Sequence, residues 1–569
     1  MVRVIDLVVD TIIEAGIDHA FGLPGGVTPF LMEELYKRND KIRTITARHE
    51  AIAATMADLY GRFTQKPGLL IGQGIWIGTN GLFGICEAFL AGSPMLIITD
   101  TSDWDNQSLY APYQCGTGEY GTVNLLNIFR STTKYTTYAT TPLEVVYGVQ
   151  LAIKHAISGR PGPACVLARI GALGGKIEDP AKLKPPLYPI EGYLRVNPPC
   201  ISSSDSNKIA KILIDANHPI LLCGRGIHAS MAHGEVQELA ELIGMPVATS
   251  YMGKGSIADT HDLALGVMAS RGQKLATDYI KNSDIILAVG TCLAPDNTNS
   301  CSPEFIDPIR QKIIHIDIDP RNAGWTYPIE IGVTSDAKLA LRSIINAIKT
   351  MSPNIEVHKT IDEIKAMKAN PENEFFISKF YFSENKPIEP ERVVKEINEA
   401  IRENDLVILD AGNNRYWNTK LLKTKKARQI FAPGGAAGMA WSAGASICAQ
   451  MLHNDGKVVA ILGDGGALML ITPAMEMVKE LNLPLVYVIL NNSSLGNVRD
   501  FLSRKGRPIT EYPETNFADI ANAMGIQGIR IEDVSEIRPN LEKALSSDKP
   551  ILLDIIVSRA SHLRVRSSF

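Results

Sequence analysis

The run Val458-Val459-Ala460-Ile461-Leu462-Gly463-Asp464-Gly465-Gly466 decides how the rest of this chain is read. Its apolar half has the length and composition of a buried parallel strand. The glycines follow at its carboxyl end, the edge at which open α/β sheets bind ligands. Gly465 and Gly466 carry no Cβ, so backbone N–H groups can close around a phosphate. Asp464 offers a hard anionic oxygen. A second apolar run, 485–490, ends in Asn491-Asn492 and delivers an amide oxygen from a neighbouring strand. Oxygen ligands combined with phosphates suit Mg²⁺, which rarely sits in an all-protein cage. The pattern therefore reads as a cation and diphosphate site, although Gly-Asp-Gly alone also makes an ordinary tight turn.

Length and composition set the frame. A chain of 569 residues exceeds what one core supports, so three domains of ordinary size are expected. With 45% hydrophobic and 21% charged residues the composition is that of a globular protein. A formal charge of −4 provides no basic field for nucleic acid. No apolar run reaches the roughly eighteen residues that span a bilayer, and Met1-Val2-Arg3 leads into an amphipathic segment with no signal-peptide pattern, so a cytoplasmic location without membrane contact is expected. Eight cysteines, at 86, 115, 165, 200, 223, 292, 301 and 448, form no CxxC pair and no zinc spacing. They are expected to be buried free thiols of a reducing compartment.

Toward the amino end, residues 4–15 have helical period, and 16–22 lead through a short strand into Leu23-Pro24-Gly25-Gly26. A strand over 42–47 ends at Arg48-His49-Glu50, and a helix over 51–63 follows, so Glu50 occupies a strand-to-helix turn where an acid also favours the helix dipole. Beyond it come Lys66-Pro67-Gly68, Gly78-Thr79-Asn80, a strand over 95–99 and a polar loop through Gln114. Residues 180–204, with prolines at 185–186 and 198–199, and the charged stretch 352–387 read as linkers. Between them lies an α/β unit with strands over 219–223, 284–289 and 313–318. Its Gly224-Arg225-Gly226 approximates a dinucleotide fingerprint, but no acid on a following strand and no basic cluster completes it. A third unit opens at Pro390, with a strand over 406–410 ending in Ala411-Gly412-Asn413-Asn414-Arg415. The fold expected is α/β, three domains of doubly wound parallel sheets spanning 1–180, 190–350 and 385–569.

Taken in this order, Arg48-His49-Glu50, Gly78-Thr79-Asn80, Gly463-Asp464-Gly465 and Asn491-Asn492 resemble the acetolactate synthase-like family of thiamine diphosphate-dependent enzymes. That family includes pyruvate oxidases, 2-oxo acid decarboxylases, aldehyde lyases and acyl-CoA lyases. The resemblance spans essentially the whole chain. It implies that Asp464, Asn492 and the backbone carbonyl of Ser494 hold Mg²⁺ beside thiamine diphosphate. Gly25, Asn414, Arg415, Gly435, Gly463, Gly465, Gly466, Leu495 and Gly496 would contact the cofactor, and Met439 would prop it in a bent conformation, with plain core filling as the alternative. Glu50 would hydrogen-bond the aminopyrimidine. Burial there disfavours a charged carboxylate, so Glu50 can present a proton to the ring nitrogen and promote the imino tautomer that removes the C2 proton of the thiazolium. His49 reads as structural. The resemblance also implies a homodimer or homotetramer with active sites at its interface.

Departures from the family pattern concern the substrate. Gly74-Ile75-Trp76-Ile77 stands where many members have Ser-Gly-Pro-Gly, so Trp76 either narrows the pocket or fills the core. Tyr120-Gly121-Thr122 replaces the Phe-Gln-Glu of acetolactate synthases, and Leu167-Ala168-Arg169-Ile170 replaces their Asp-Ile-Pro-Lys. Asn414 and Arg415 stand for the usual His and Gln and keep donors for the terminal phosphate. Gln114, Tyr120, Val498 and Phe501 complete the expected pocket with Trp76. Family members use the middle domain for FAD, for ADP or CoA, or for nothing, and the last is favoured here. The activity implied is making or breaking a C–C bond beside a carbonyl. The expected donor is a short 2-oxo acid such as pyruvate, decarboxylated and passed to an acceptor. A 2-hydroxyacyl-CoA lyase or oxalyl-CoA decarboxylase-like enzyme, an aldehyde lyase, and a non-catalytic thiamine diphosphate-binding paralogue are the alternatives.

Overall fold

Apolar runs separated by helical segments cannot fold as hairpins, so each must cross over a helix and rejoin its sheet in parallel. The structure, a computed structural model that describes residues 1–103, 113–352 and 357–559, does this three times. The first sheet runs Arg43–Thr46, His19–Leu23, Gly68–Gly72, Met95–Asp100, Pro163–Ala168, Tyr135–Ala139. The second runs Ala264–Val267, Val247–Thr249, Pro219–Cys223, Ile285–Val289, Lys312–Asp317, Ile331–Thr334. The third runs Ile430–Phe431, Leu406–Leu409, Val458–Gly463, Val486–Asn491, Ile551–Ile556, Gln527–Ile531. Every pairing within these sheets is parallel, and a separate antiparallel pair joins Val2–Arg3 to Lys176–Ile177. Helices cover both faces, which is why Leu69, Leu70 and Ile71, or Val458 to Leu462, are buried without alternation.

Each sheet begins at an inner strand, grows to one edge and then continues on the other side. The resulting crevices lie between His19–Leu23 and Gly68–Gly72, between Pro219–Cys223 and Ile285–Val289, and between Leu406–Leu409 and Val458–Gly463. Such switch points are where doubly wound sheets bind ligands.

Contacts group the chain into two bodies. One comprises Met1–Asn197 with Pro433–His453 and Leu468–Leu483; the other comprises Pro198–Ala432, Asn454–Ala467 and Pro484–Phe569. The first body gains its two late segments because helix Trp441–Leu452 lies against helix Glu50–Thr64. Trp441 Nε1 donates to Asp58 Oδ2 at 2.8 Å, and a Cβ on Gly444 would fall 2.2 Å from Thr55 Oγ1. In the second body a buried ion pair ties the middle sheet to the third. Lys254 Nζ meets Asp259 Oδ2 at 2.7 Å, and Asp259 also accepts from the backbone N–H of Thr424 at 2.9 Å and from its hydroxyl at 3.0 Å.

Several local expectations change. Residues 74–77 form a short helix, Gly74–Ile77, rather than a loop. The 180–204 linker contains the helix Glu191–Leu194, whereas the short helix expected within 352–387 is present as His358–Ala369, residues 353–356 lying outside the described residues. Of the eight cysteines, Cys115, Cys165, Cys223 and Cys448 are buried, but Cys200 and Cys292 are exposed and Cys86 and Cys301 intermediate. Among the described residues no helix is long and apolar enough to cross a membrane.

The Lys254–Asp259 pair carries a stability prediction. Asp259→Asn should destabilise by about 3–5 kcal/mol in urea unfolding, because it leaves the Lys254 charge buried and unpaired, whereas the double change Lys254→Met, Asp259→Asn should recover most of that loss, since the amide oxygen introduced at position 259 can still accept from Thr424.

Candidate functional site

The register of the third sheet aligns three strand ends. Leu409 pairs with Ile461, and Gly463 pairs with Leu490, so the turns leaving these strands stand side by side. The first turn passes through Gly412 at φ 99°, a conformation that L residues rarely adopt, and opens helix Asn413–Leu421. The second begins helix Asp464–Glu480, with Gly465 and Gly466 in its first turn, so the expected phosphate-cradling glycines are helix amides whose dipole favours an anion. The third is Asn492 to Gly496.

Asp464 ties two of these turns together. Its Oδ1 accepts from Gly465 N–H at 2.9 Å, and its Oδ2 accepts from the N–H groups of Asn492 at 3.1 Å and Ser494 at 3.2 Å. Burial pushes its carboxyl above the usual range. Close by, Asn492 Oδ1 and Ser494 Oγ are buried without a hydrogen-bond partner. A buried acceptor left unsatisfied costs about 1–3 kcal/mol, so these atoms point to a ligand. Across the same space Asn413 Nδ2 donates to Asp500 Oδ2 at 2.8 Å, and a Cβ at Gly496 would come within 3.2 Å of Asn413 Nδ2 and 3.5 Å of Asn492 Nδ2. A side chain at Gly496 would therefore crowd Asn413 and narrow the cradle. Among the described residues no group of three or more His, Cys, Asp or Glu side chains could hold a metal. A cation here would be held by one carboxylate, one amide oxygen and a carbonyl, with phosphates completing its sphere, which is the donor set Mg²⁺ accepts. The residues fit the group.

Not every anticipated contact is oriented this way. Asn414 Nδ2 is spent on the carbonyl of Ala411 at 2.6 Å, leaving its Oδ1, an acceptor, without a partner. Arg415 stands at the start of the same helix. Its buried guanidinium lies over the ring of Tyr251 at 4.7 Å and that of Tyr416 at 5.5 Å, so it serves packing within the second body. Asn413, which sequence reasoning passed over, takes the position at the turn. Val498 and Phe501, in and after the short helix Gly496–Arg499, are about half exposed.

In the first body Glu50 is the first residue of helix Glu50–Thr64 and is buried, its Oε2 accepting from Asn80 Nδ2 at 3.1 Å. His49 caps that helix, Nδ1 accepting from Ala51 N–H at 3.1 Å, a structural task. Gly25 lies against Gln73, where a Cβ would come within 3.0 Å of the side chain. Gln73 Nε2 donates to Ser102 Oγ at 3.1 Å and Gln114 Oε1 at 3.3 Å, so Gln114 joins a polar group at the carboxyl edge of the first sheet. Trp76 is 42% exposed, which excludes the core reading, and Tyr120 is 65% exposed. Met439 is half-buried in the turn before helix Trp441–Leu452, and Gly435 sits where a Cβ would meet Ala91 N and Glu87 O at 2.8 Å.

The middle sheet's crevice is closed by its own backbone. Gly226 N–H donates to the Gly290 carbonyl at 2.9 Å, and a Cβ on Gly226 would fall 2.5 Å from Gly290 Cα. The Gly224-Arg225-Gly226 pattern is thereby explained by loop packing. Beside it His228 Nδ1 and His233 Nε2 lie 2.9 Å apart, and burial pushes His228 down to about 3 and His233 to about 4, so neither carries a charge near neutrality.

Three doubly wound sheets, with a carboxylate, an orphan amide oxygen and a helix terminus gathered at the switch point of the last, define a diphosphate-cofactor protein. Comparison with known proteins narrows the class. Residues 2–119 match the N-terminal TPP binding domain of thiamine pyrophosphate enzymes, 206–344 match the central domain, and 410–555 match the C-terminal TPP binding domain. The chain belongs to the thiamine pyrophosphate enzymes, of the acetolactate synthase-like kind. It is similar to a probable acetolactate synthase large subunit of Methanocaldococcus jannaschii, 29% identical over 96% of this chain and 90% of that protein. The acetolactate synthase large subunits of Corynebacterium glutamicum and Haemophilus influenzae are each 26% identical, over 97% and 98% of this chain and 86% and 95% of theirs.

Asp464→Ala should abolish thiamine diphosphate binding, because the diphosphate would then face no cation. Titration calorimetry in the presence of Mg²⁺ reads this directly, and wild-type affinity in the variant would contradict the assignment.

Proposed function

We propose that this enzyme decarboxylates a short 2-oxo acid such as pyruvate and passes the remaining acyl unit to an acceptor, with Mg²⁺ bridging its cofactor to Asp464, Asn492 and the Ser494 carbonyl. The observation that carries the reading is Glu50, a buried carboxyl at a helix start that accepts from the Asn80 amide. Bound thiamine diphosphate supplies a carbanion at thiazolium C2 and a sink for the electrons released as CO₂ leaves. The protein's own part is to hold and orient. Glu50 exchanges a proton with the aminopyrimidine nitrogen, Asn80 fixes the Glu50 carboxyl, and Asp464 with Asn492 anchors the diphosphate through the cation. Val498 and Phe501, about half exposed, offer apolar surface close after the turn that carries Asn492 and Ser494.

Several acetolactate synthase large subunits match over nearly the whole chain, which supports a 2-oxo acid as donor. Gly121 and Ile170 stand where that family carries Gln and Lys, so a second 2-oxo acid would find two contacts missing. We therefore infer that a proton or an aldehyde competes well as acceptor. In the assembly this reading requires, Glu50 of one chain serves the thiamine held by another, so the active form is at least a dimer.

Three measurements test the reading. Glu50→Gln should bind cofactor normally yet slow exchange of its C2 proton by roughly 10²- to 10⁴-fold in NMR, since an amide cannot relay the proton. Holoenzyme given pyruvate should release CO₂, and acetoin should form when acetaldehyde is added; cleavage of a 2-hydroxyacyl-CoA with neither product would replace the donor class. Light scattering should find a dimer or tetramer, and a fully active monomer would rule out the shared site.

A further inference from the structure

One buried carboxylate takes no part in the chemistry above. Glu87, on helix Leu82–Ala91, is almost wholly buried, and each of its oxygens is spent on the segment leading to Met439. Its Oε1 accepts from the N–H groups of Gly434 and Gly435, both at 2.9 Å, and its Oε2 from Ala437 N–H at 2.8 Å. Arg62 donates to Oε1 at 2.6 Å and also to Asp58, and the Arg62 guanidinium lies 4.8 Å from the Trp441 ring centre. Burial pushes the Glu87 carboxyl up, but Arg62 and the N–H groups of Gly435 and Gly434 outweigh it and hold it down at about 2, so the carboxylate is charged throughout the working range.

The segment so held is under strain and under compression. Ala437 and Ala440 adopt φ of 54° and 75°, which side chains with a Cβ disfavour. A Cβ on Gly438 would lie 2.2 Å from Phe83 Cε2, and one on Gly435 would strike the backbone of the Glu87 helix at 2.8 Å. Such conformations persist only where the surroundings over-determine them. Three N–H groups converging on one carboxylate provide that determination, and Met439 lies between the two strained alanines.

We propose that Glu87 is a positioning residue: it fixes the 434–440 turn so that Met439 stands where the cofactor must bend. This rests on the proposed role of Met439 toward thiamine. It assigns to Glu87 control of geometry, as distinct from affinity, because the diphosphate is anchored elsewhere, at Asp464 and Asn492.

Glu87→Gln keeps the shape and removes the charge. In the cofactor-free protein, amide hydrogen exchange over 434–437 should rise at least about tenfold as local opening becomes easier. In the holoprotein the Kd for thiamine diphosphate should stay within about threefold while C2-proton exchange falls by about 10²-fold, the scale of an ångström of misplacement. Trp441→Phe removes the bond to Asp58 in the same buried network but spares the three N–H bonds to Glu87, so it should lower the melting temperature and leave C2 exchange within about twofold. Wild-type C2 exchange in Glu87→Gln, or equal losses in Glu87→Gln and Trp441→Phe, would overturn the proposal. Should Glu87→Gln fail to fold, Gly435→Ala decides: its Cβ displaces the turn with the carboxylate intact, so slowed exchange supports the positioning role and normal exchange refutes it. Normal C2 exchange in Glu50→Gln would instead sink the functional reading itself, whatever Glu87 does.

Discussion

A diphosphate beside a carboxylate repels it unless a cation lies between them, and the groups proposed to hold that cation, Asp464 and Asn492, follow neighbouring strands of the third sheet. Parallel pairing sets Leu409 level with Ile461 and Val488, and Gly463 level with Leu490, and this register is fixed by buried apolar side chains on both faces. A one-residue slip of strand Val486–Asn491 would carry Asn492 out of reach of Asp464 and turn its side chain to the other face. The chemistry therefore rests on packing far from it. Val459, Ile461, Val486 and Val488, all without exposure, belong to the core that holds the register.

The same dependence explains what could be read from the sequence. Asp464 and Asn492 were legible because each follows directly on an apolar run, so the strand ends could be counted to the residue. Glu50 was legible for a similar reason, as the first residue after a strand and before a helix. Arg415 was not. Its place at the start of a helix is evident from Gly412, but whether its side chain turns to the crevice or to Tyr251 depends on a loop some 160 residues away in the chain, which no local pattern records. Trp76 shows the same limit, since an apolar residue in a short helical turn reads equally as core or as surface. The middle domain gave a glycine pattern whose cause is tertiary: Gly226 and Gly290 need each other's missing Cβ.

A second class of feature left no trace because the residues involved are not glycine. Ser102, Gln114, Ala437, Ala440 and Ser493 all adopt left-handed backbone conformations, and all lie in turns that the sequence placed at cofactor or substrate sites or directly beside them. Each such conformation costs of order 1–3 kcal/mol and survives only where neighbouring bonds leave no alternative. For Ser102 the neighbour is Asp100, whose Oδ1 accepts from the Ser102 N–H at 3.1 Å and its hydroxyl at 2.8 Å. For Ala437 it is Glu87. In both cases a buried carboxylate at a strand end or on a flanking helix gathers backbone N–H groups that would otherwise be free to relax the turn.

That arrangement separates two demands on the site. On the proposed reading, affinity for the cofactor comes from charge, through a cation that Asp464 and Asn492 would hold, and tolerates some movement of the surrounding turns. Geometry at the reacting carbon does not, because proton transfer and addition both lose efficiency steeply with displacement. Placing the geometric constraint on carboxylates that never meet the substrate allows the turns to be rigid while the side chains facing the substrate vary. Trp76, Gly121, Ile170 and Phe501, where this chain departs from the pattern the family resemblance implies and where we propose the substrate lies, can then differ without loosening the cofactor. Substrate choice evolves on a frame whose strain is held by Glu87 and Asp100.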